Sequence, residues 1–222
     1  MCGRFTLTVN PGELQDVFNE YTFPEQFAPR FNIAPTQPVL AISNDGKHKA
    51  DFFMWGLIPS WSKDPSIANK LINARGETIA EKPSFRGSFK YKRCLIPADG
   101  FYEWKAQTDS KSKTPYFIHM KDRKPFALAG LWDEWHSPEG DTIRTCTIIT
   151  TEPNDLMKTL HNRMPVILNP KDYAVWLNTA PQTPDDLLHL IKPFPSEKMS
   201  AYPVSSMVNS PHNDRSELVL PL

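Results

Sequence analysis

Proline interrupts this chain 22 times in 222 residues, while glycine occurs only nine times. Each proline fixes its own φ, removes a backbone donor and pushes its predecessor out of the helical region. Long helices are excluded on that ground. Short strands joined by stiff, irregular connections remain. The hydrophobic pattern agrees. "PVLAIS" and "ADFFMWG" read as two strands around the polar turn "NDGKHK". "RCLIPA", "GFYEWK", "PYFIHM", "FALAGLW" and "TIRTCTIITT" are five further strands, with "QTDSKSKT" and "HSPEGDT" as exposed hairpin loops. "PGELQDVFNEYT" predicts an amphipathic helix over 11–22, with Leu14, Val17, Phe18 and Tyr21 at helical spacing and Pro11 near its start. Residues 72–80 read as one short helix. "EPNDLMKTLHN" reads as a helix, "PVIL" as a strand, and "PKDYAVWLN" and "PDDLLHLI" as helices. No internal repeat and no long linker divides the chain. The expectation is a single α+β domain over 1–222, with a largely antiparallel, barrel-like β core and flanking short helices.

Charge and composition exclude several classes. Lys and Arg number 25 and so do Asp and Glu, so bulk charge offers no attraction to nucleic acid, and any such binding needs a local patch. The longest apolar run, "FALAGLW", falls far short of the roughly 18 residues that span a bilayer. The start lacks a basic-then-apolar leader, so no membrane partner is expected. Cys2, Cys94 and Cys146 are odd in number and widely spaced, against a disulfide framework and against a CxxC metal site. The expected compartment is the reducing cytosol. GxGxxG, P-loop, HExxH and GxSxG signatures are all missing, so neither a cofactor nor a metal is expected.

The opening "MCGRF" raises a chemical possibility. A small side chain behind Met1 invites removal of that methionine, which leaves Cys2 with an α-amine and a thiol on adjacent carbons. Its ordinary pKa values are about 7.7–8.0 for the amine and about 8.5 for the thiol, so roughly a tenth of the amine is unprotonated near neutral pH. An aldehyde would react with the amine as a Schiff base, and the thiol could then close a thiazolidine ring. Acyl transfer is the other use: the thiol attacks an amide while its own amine acts as base. A position that merely tolerates any small residue is the plain alternative.

Possible neighbours carry readings of both kinds. "LINARGET" places Asn73, Arg75 and Glu77 together; Arg75 could clamp a phosphate, or form a surface pair with Glu77. Glu103, flanked by Phe101, Tyr102 and Trp104, is either a water-facing strand residue or an acid/base of raised pKa. His161 and Arg163 stand just before an apolar strand, where the histidine is a proton shuttle or a structural residue. His119 and His189 read as packing residues. Residues 81–94, "EKPSFRGSFKYKRC", alternate basic and aromatic side chains, which suits unpaired nucleic acid and equally an exposed basic strand backed by core. Trp61, in a Pro/Ser/Lys loop, is a wedge against bases or a small core under the loop.

"MCGRF", "RFNIAPTQ", "WGLIPSW", "NARGET", "PADGFYEW", "HNRMPVIL" and "PVSSMVN" occur in this order. Taken together they resemble the SRAP family, the SOS response-associated peptidase proteins that act on abasic sites, over nearly the whole chain. The resemblance implies loss of Met1 and a covalent bond between Cys2 and the ring-opened aldehyde of an abasic site in single-stranded DNA. The product would be a thiazolidine that shields the site from strand cleavage. By position in the matching motifs, Asn73 would hold the sugar and Cys2. Glu103 would handle protons at the amine and imine, and His161 would help open the sugar ring and shuttle protons. Arg4 and Arg75 would grip flanking phosphates, Thr150 would belong to the same site, and Pro35 and Trp61 would break base stacking. The implied protein is a cytoplasmic, DNA-associated monomer with a Schiff-base lyase path as side activity. A second reading is an N-terminal-nucleophile peptidase that removes its own Met1. A third is a non-enzymatic single-strand binder that uses residues 81–94 alone.

Overall fold

Alternation at β3 (Pro38–Ser43) and β4 (Ala50–Trp55) folds the first hairpin, with Val39 opposite Phe53 and Ile42 opposite Ala50. In this computed structural model, which describes residues 2–107 and 112–222, that hairpin is part of a closed ring. Met1, and positions 108–111 of the expected 107–114 loop, lie outside the described residues. β3 pairs with β6 (Arg93–Ala98), β6 with β9 (Phe126–His136), and β9 with β10 (Thr142–Thr151). β10 returns to β4 in parallel, which closes a five-stranded barrel. All the other pairs in the ring are antiparallel, as the sequence predicts.

β9 is the long member, and Gly130 explains how it is covered so tightly. A Cβ there would lie 2.8 Å from Cys94 Sγ and 3.0 Å from the Thr147 carbonyl. Only a residue without a side chain lets β6 and β10 approach from both sides. Trp55, Phe53, Leu95, Ile96, Leu128 and Ile148 fill the core. Cys94 and Cys146 are buried free thiols within it. Pro97 sits inside β6, yet β3 pairs with that strand only at Leu95 and Cys94, so its missing N–H leaves no partner there unserved.

A second sheet lies alongside: β13 (Met199–Pro203), β8 (Lys113–Met120), β7 (Gly100–Ala106), β1 (Phe5–Leu7) and β2 (Arg30–Ile33), in that order. Its outer face carries a smaller cluster of Tyr102, Phe117, Val204, Val208 and Leu218, covered by the C-terminal segment. Gly100 is required here as well, since a Cβ would come within 2.3 Å of the Phe117 ring.

Helices are shorter than their patterns predict. The first, α1 (Pro11–Val17), has a complete capping box between Asn10 and Glu13 and stops five residues early. Residues 72–80 form no α-helix. Asn73–Arg75 pairs as strand β5 against β10, and Gly76–Thr78 is a 3₁₀ turn. Arg86–Tyr91 within the basic segment is helix α2 rather than an exposed strand. Phe85 and Phe89 point into the core, and Tyr91 is exposed. The late helix α3 (Asp155–Lys158) is a single turn, while α4 (Tyr173–Trp176) and α5 (Pro184–Leu187) are single α-turns continued by 3₁₀ turns at Pro170–Asp172 and Leu188–Leu190, close to the expected helical spans. "PVIL" breaks at Val166 into β11 (Met164–Pro165) and β12 (Ile167–Leu168). Among the described residues no helix is long and apolar enough to cross a membrane.

Candidate functional site

The chain leading into β1 brings Cys2 into the body of the molecule, where it is fully buried. Its carbonyl accepts a hydrogen bond from Asn73 Nδ2 at 2.9 Å. Asn73 is in position because β5 runs parallel to β10, with Asn73 opposite Ile148 and Arg75 opposite Thr150. The other amide atom of Asn73, Oδ1, is buried and has no hydrogen-bond partner among the described residues. An acceptor is therefore held ready beside Cys2.

Glu103 reaches the same place from β7. Strand alternation puts Glu103 and Phe101 on the inner face and Tyr102 on the outer one, and Glu103 is only 2% exposed. The choice between a water-facing and a buried carboxylate is settled for the buried one. The Glu103 charge acts on Cys2 and on His161 alike, so the three groups share one neighbourhood. Burial, and after it the Glu103 carboxylate, pushes the Cys2 thiol far above its usual range. Burial holds the His161 imidazole below its usual range, while Glu103 pulls the other way.

His161 follows α3, and its backbone N–H donates to the Met157 carbonyl at 2.8 Å. Its ring Nδ1 receives the Arg163 backbone N–H at 3.1 Å. The Arg163 guanidinium is bidentate to Glu77 and also donates to the carbonyl and hydroxyl oxygens of Thr150, at 2.7 and 3.1 Å. Glu77 thus pairs with Arg163 rather than with Arg75, which is exposed. Thr150, expected at the same site, is fully buried; it accepts from Arg163 and pairs with β5 beside Asn73, its hydroxyl donating to the Ala74 carbonyl at 3.4 Å.

The remaining expected residues each have surroundings of their own. Arg4 is half-buried and donates to Asn32 Oδ1 at 2.8 Å and to the carbonyls of Val208 and Asn209 at 2.7 and 3.2 Å. Pro35 is half-buried in the turn 34–37, where Thr36 takes a φ of 66°. That is an uncommon state for a β-branched residue. Trp55 braces this turn through two main-chain hydrogen bonds, and its indole donates to the Ile72 carbonyl next to Asn73. Trp61 is 60% exposed on a loop fixed by Ser60 N–H donating to Asp133 and by the Trp135 indole donating to the Ser62 carbonyl. His119 is buried against Phe117 and Tyr202 as a packing residue, but His189 is exposed. A cleft of about 420 Å³ opens beside His161, lined by Lys105, Lys158 and Asn162. Among the described residues no cluster of His, Cys, Asp or Glu has the arrangement of a metal site.

Sequence reasoning singles out Cys2, Asn73, Glu103 and His161, and these four lie in one neighbourhood of the structure. It misses Asn32, Gln37 and Asp133. These anchor the surroundings through main-chain contacts that no spacing rule reports, although Asn32 and Gln37 fall inside the "RFNIAPTQ" motif.

The sequence model of the family described as SOS response associated peptidase (SRAP) matches residues 1–211. The abasic site processing protein YoqW of Bacillus subtilis (strain 168) is 50% identical over 222 residues, covering 99% of both chains. The abasic site processing protein HMCES of Xenopus tropicalis is 32% identical, covering 98% of this chain and 77% of that one. A crystal structure of a protein from Bacteroides thetaiotaomicron superposes with a TM-score of 0.88 at 28% identity, covering both chains completely.

Proposed function

The chain belongs to the SOS response associated peptidase (SRAP) family, and from that premise we propose that it processes abasic sites in single-stranded DNA by covalent capture through Cys2 after Met1 is removed. The observation that carries this reading is the convergence on Cys2 of Asn73, at 2.9 Å from its carbonyl, with Glu103 and His161. The names of the relatives, abasic site processing proteins, support the substrate.

The chemistry runs in an order that the electrostatics favour. A buried thiol beside a carboxylate stays protonated, so it is a poor first nucleophile. The α-amine of the mature Cys2 has the lower ordinary pKa and leads. Attack on the open-chain aldehyde and loss of water give an imine. The Cys2 thiol then adds to the imine carbon, its proton passes to the new ring nitrogen by way of Glu103, and a thiazolidine results. Exposed Arg75 grips a flanking phosphate, Arg4 steadies the backbone at the site, and Pro35 and Trp61 part the bases on either side. The imine stage also opens a lyase path.

A peptidase reading draws on the same cluster, with the buried Asn73 Oδ1 as acceptor for an amide and the Met1–Cys2 bond as its substrate. Cys2→Ser separates the two. It keeps the amine and loses the thiol, so on abasic single strands it should yield an adduct only after borohydride reduction. A denaturation-resistant adduct from this variant without reduction would overturn the thiazolidine.

A further inference from the structure

We propose that a trough over β12 docks an acidic segment of another protein, one that mixes carboxylates with bulky apolar side chains. None of the residues that line the trough belongs to the capture site, and the inference stands apart from the chemistry proposed above.

The trough is two adjoining hollows. The larger, of about 530 Å³, lies between α1, the start of β9 and the segment before β13. The smaller, of about 220 Å³, shares Ile167, Leu168, Asn169 and Phe194 with it. Two hollows joined in this way suit an extended peptide that sets one apolar side chain in each. The floor is rigid. Phe126, Ile167, Leu168 and Tyr173 are core residues, each no more than 5% exposed, so the shape is formed before anything binds. Phe194 is the half-buried wall between the hollows, with the Lys198 ammonium 6.0 Å from its ring centre.

Charge on the rim selects the occupant. Lys121, Lys124 and Lys198 line the larger hollow and Lys192 the smaller. All four are exposed, and none is in an ion pair with a described residue. The acids on the same rims are Asp122, Glu197 and Asp172. Asp122 is engaged within its own loop, where it accepts the Lys124 N–H at 3.2 Å. Positive charge is therefore in surplus. Glu197 and Asp172 would repel a continuous phosphate backbone, whereas a peptide can set its carboxylates against the lysines alone.

The loop 121–124 presents these lysines by an uncommon backbone state. Arg123 takes a φ of 60°, and its N–H returns to the Met120 carbonyl at 3.0 Å. Its guanidinium lies over the Tyr202 ring of β13, 5.7 Å from the ring centre. Arg123 thus serves the second sheet, while Lys121 and Lys124 line the trough. The Lys121 N–H donates to the Lys198 carbonyl at 2.9 Å, which fixes one lysine relative to the other. A chain of zero net charge gains nothing from bulk attraction to DNA, and a docked partner would supply that attraction by raising its local concentration.

Fluorescence anisotropy tests this with the full chain and a fluorescein-labelled peptide, Asp-Glu-Asp-Leu-Glu-Phe. Saturable binding is expected at about 50 mM salt, with a loss of ~10-fold or more at about 300 mM. A peptide with amides in place of its side-chain carboxylates, and one with Ser in place of Leu and Phe, should each bind ~10-fold more weakly. Lys121→Glu combined with Lys124→Glu should lose ~10-fold in affinity and leave melting temperature and adduct formation unchanged. Phe194→Ala should also lose ~10-fold; if it lowers the melting temperature, the exposed lysine pair decides alone. No binding to the wild type, equal binding of the amide peptide, or undiminished binding by the lysine variant overturns the inference. Displacement of the peptide by unlabelled oligothymidine also overturns it, by assigning the face to single-stranded DNA. A protein that binds the peptide but forms no adduct sinks the capture reading and supports the docking site.

Discussion

At Cys2, burial and the Glu103 carboxylate act in the same direction, and both favour the neutral thiol. Burial likewise drives up Cys94, with the neighbouring Cys146 adding to it, Cys146 itself, and the phenols of Tyr21, Tyr102 and Tyr173. Each of these groups has a folded pKa above its unfolded value, so each binds a proton in the folded state that the unfolded chain has already lost. The stability they contribute is complete only below pH ~8 and falls as pH rises past the ordinary thiol and then phenol values. Urea midpoints measured from pH 8 to pH 10.5 should therefore decline, and a flat profile would contradict the burial of these groups. At this scale the sequence is partly legible. The identities of Cys2, Asn73, Glu103 and His161 follow from short motifs. The partner of Glu77 does not, because Arg75 is its neighbour in sequence and Arg163 its neighbour in space, 86 residues away.

The strands were the readable elements, because one buried face imposes an alternation that a pattern detects. β3, β6 and β10 occupy the predicted spans. The short partners β1, β2, β5 and β13 carry too few residues for any alternation to show. The helical patterns shrank to single turns where proline enters. Pro170 and Pro184 each start a single turn that passes directly into another of different type, Pro170–Asp172 into α4 and α5 into Leu188–Leu190. The loop that presents Trp61 is built from outside itself. Asp133 accepts from Ser60 N–H at 2.8 Å with one oxygen and from Lys92 at 2.6 Å with the other. A tryptophan held this way, 60% exposed, suits stacking on an unpaired base. Trp61→Ala should weaken binding to abasic-free single strands by about 1–3 kcal/mol while thermal stability holds. Anisotropy titration alongside a melting curve checks both; unchanged affinity would remove the wedge.

Across the whole molecule, the two chain ends are joined. Asn32 is fully buried, accepts from Arg4, and donates to the carbonyls of Val208, Ser210 and Asn213. Asp214 in turn accepts from Arg30 and from the N–H groups of Phe31 and Asn32. The segment after β13 therefore steadies the strand that delivers Cys2. Asn32→Ala strands these carbonyls and loosens Arg4, and should lower stability by roughly 1–3 kcal/mol. Calorimetry would show it, together with slower capture of abasic DNA; wild-type values in both would dissolve the link. Zero net charge fits a protein that relies on a local grip and a covalent bond rather than on bulk attraction. The most direct test of that bond is intact mass spectrometry of the mature protein incubated with an abasic single-stranded oligonucleotide. The predicted species is the chain without Met1 plus the oligonucleotide less one water, with the attachment mapped to Cys2. Attachment elsewhere, or an adduct on a chain that retains Met1, would contradict capture by a terminal aminothiol.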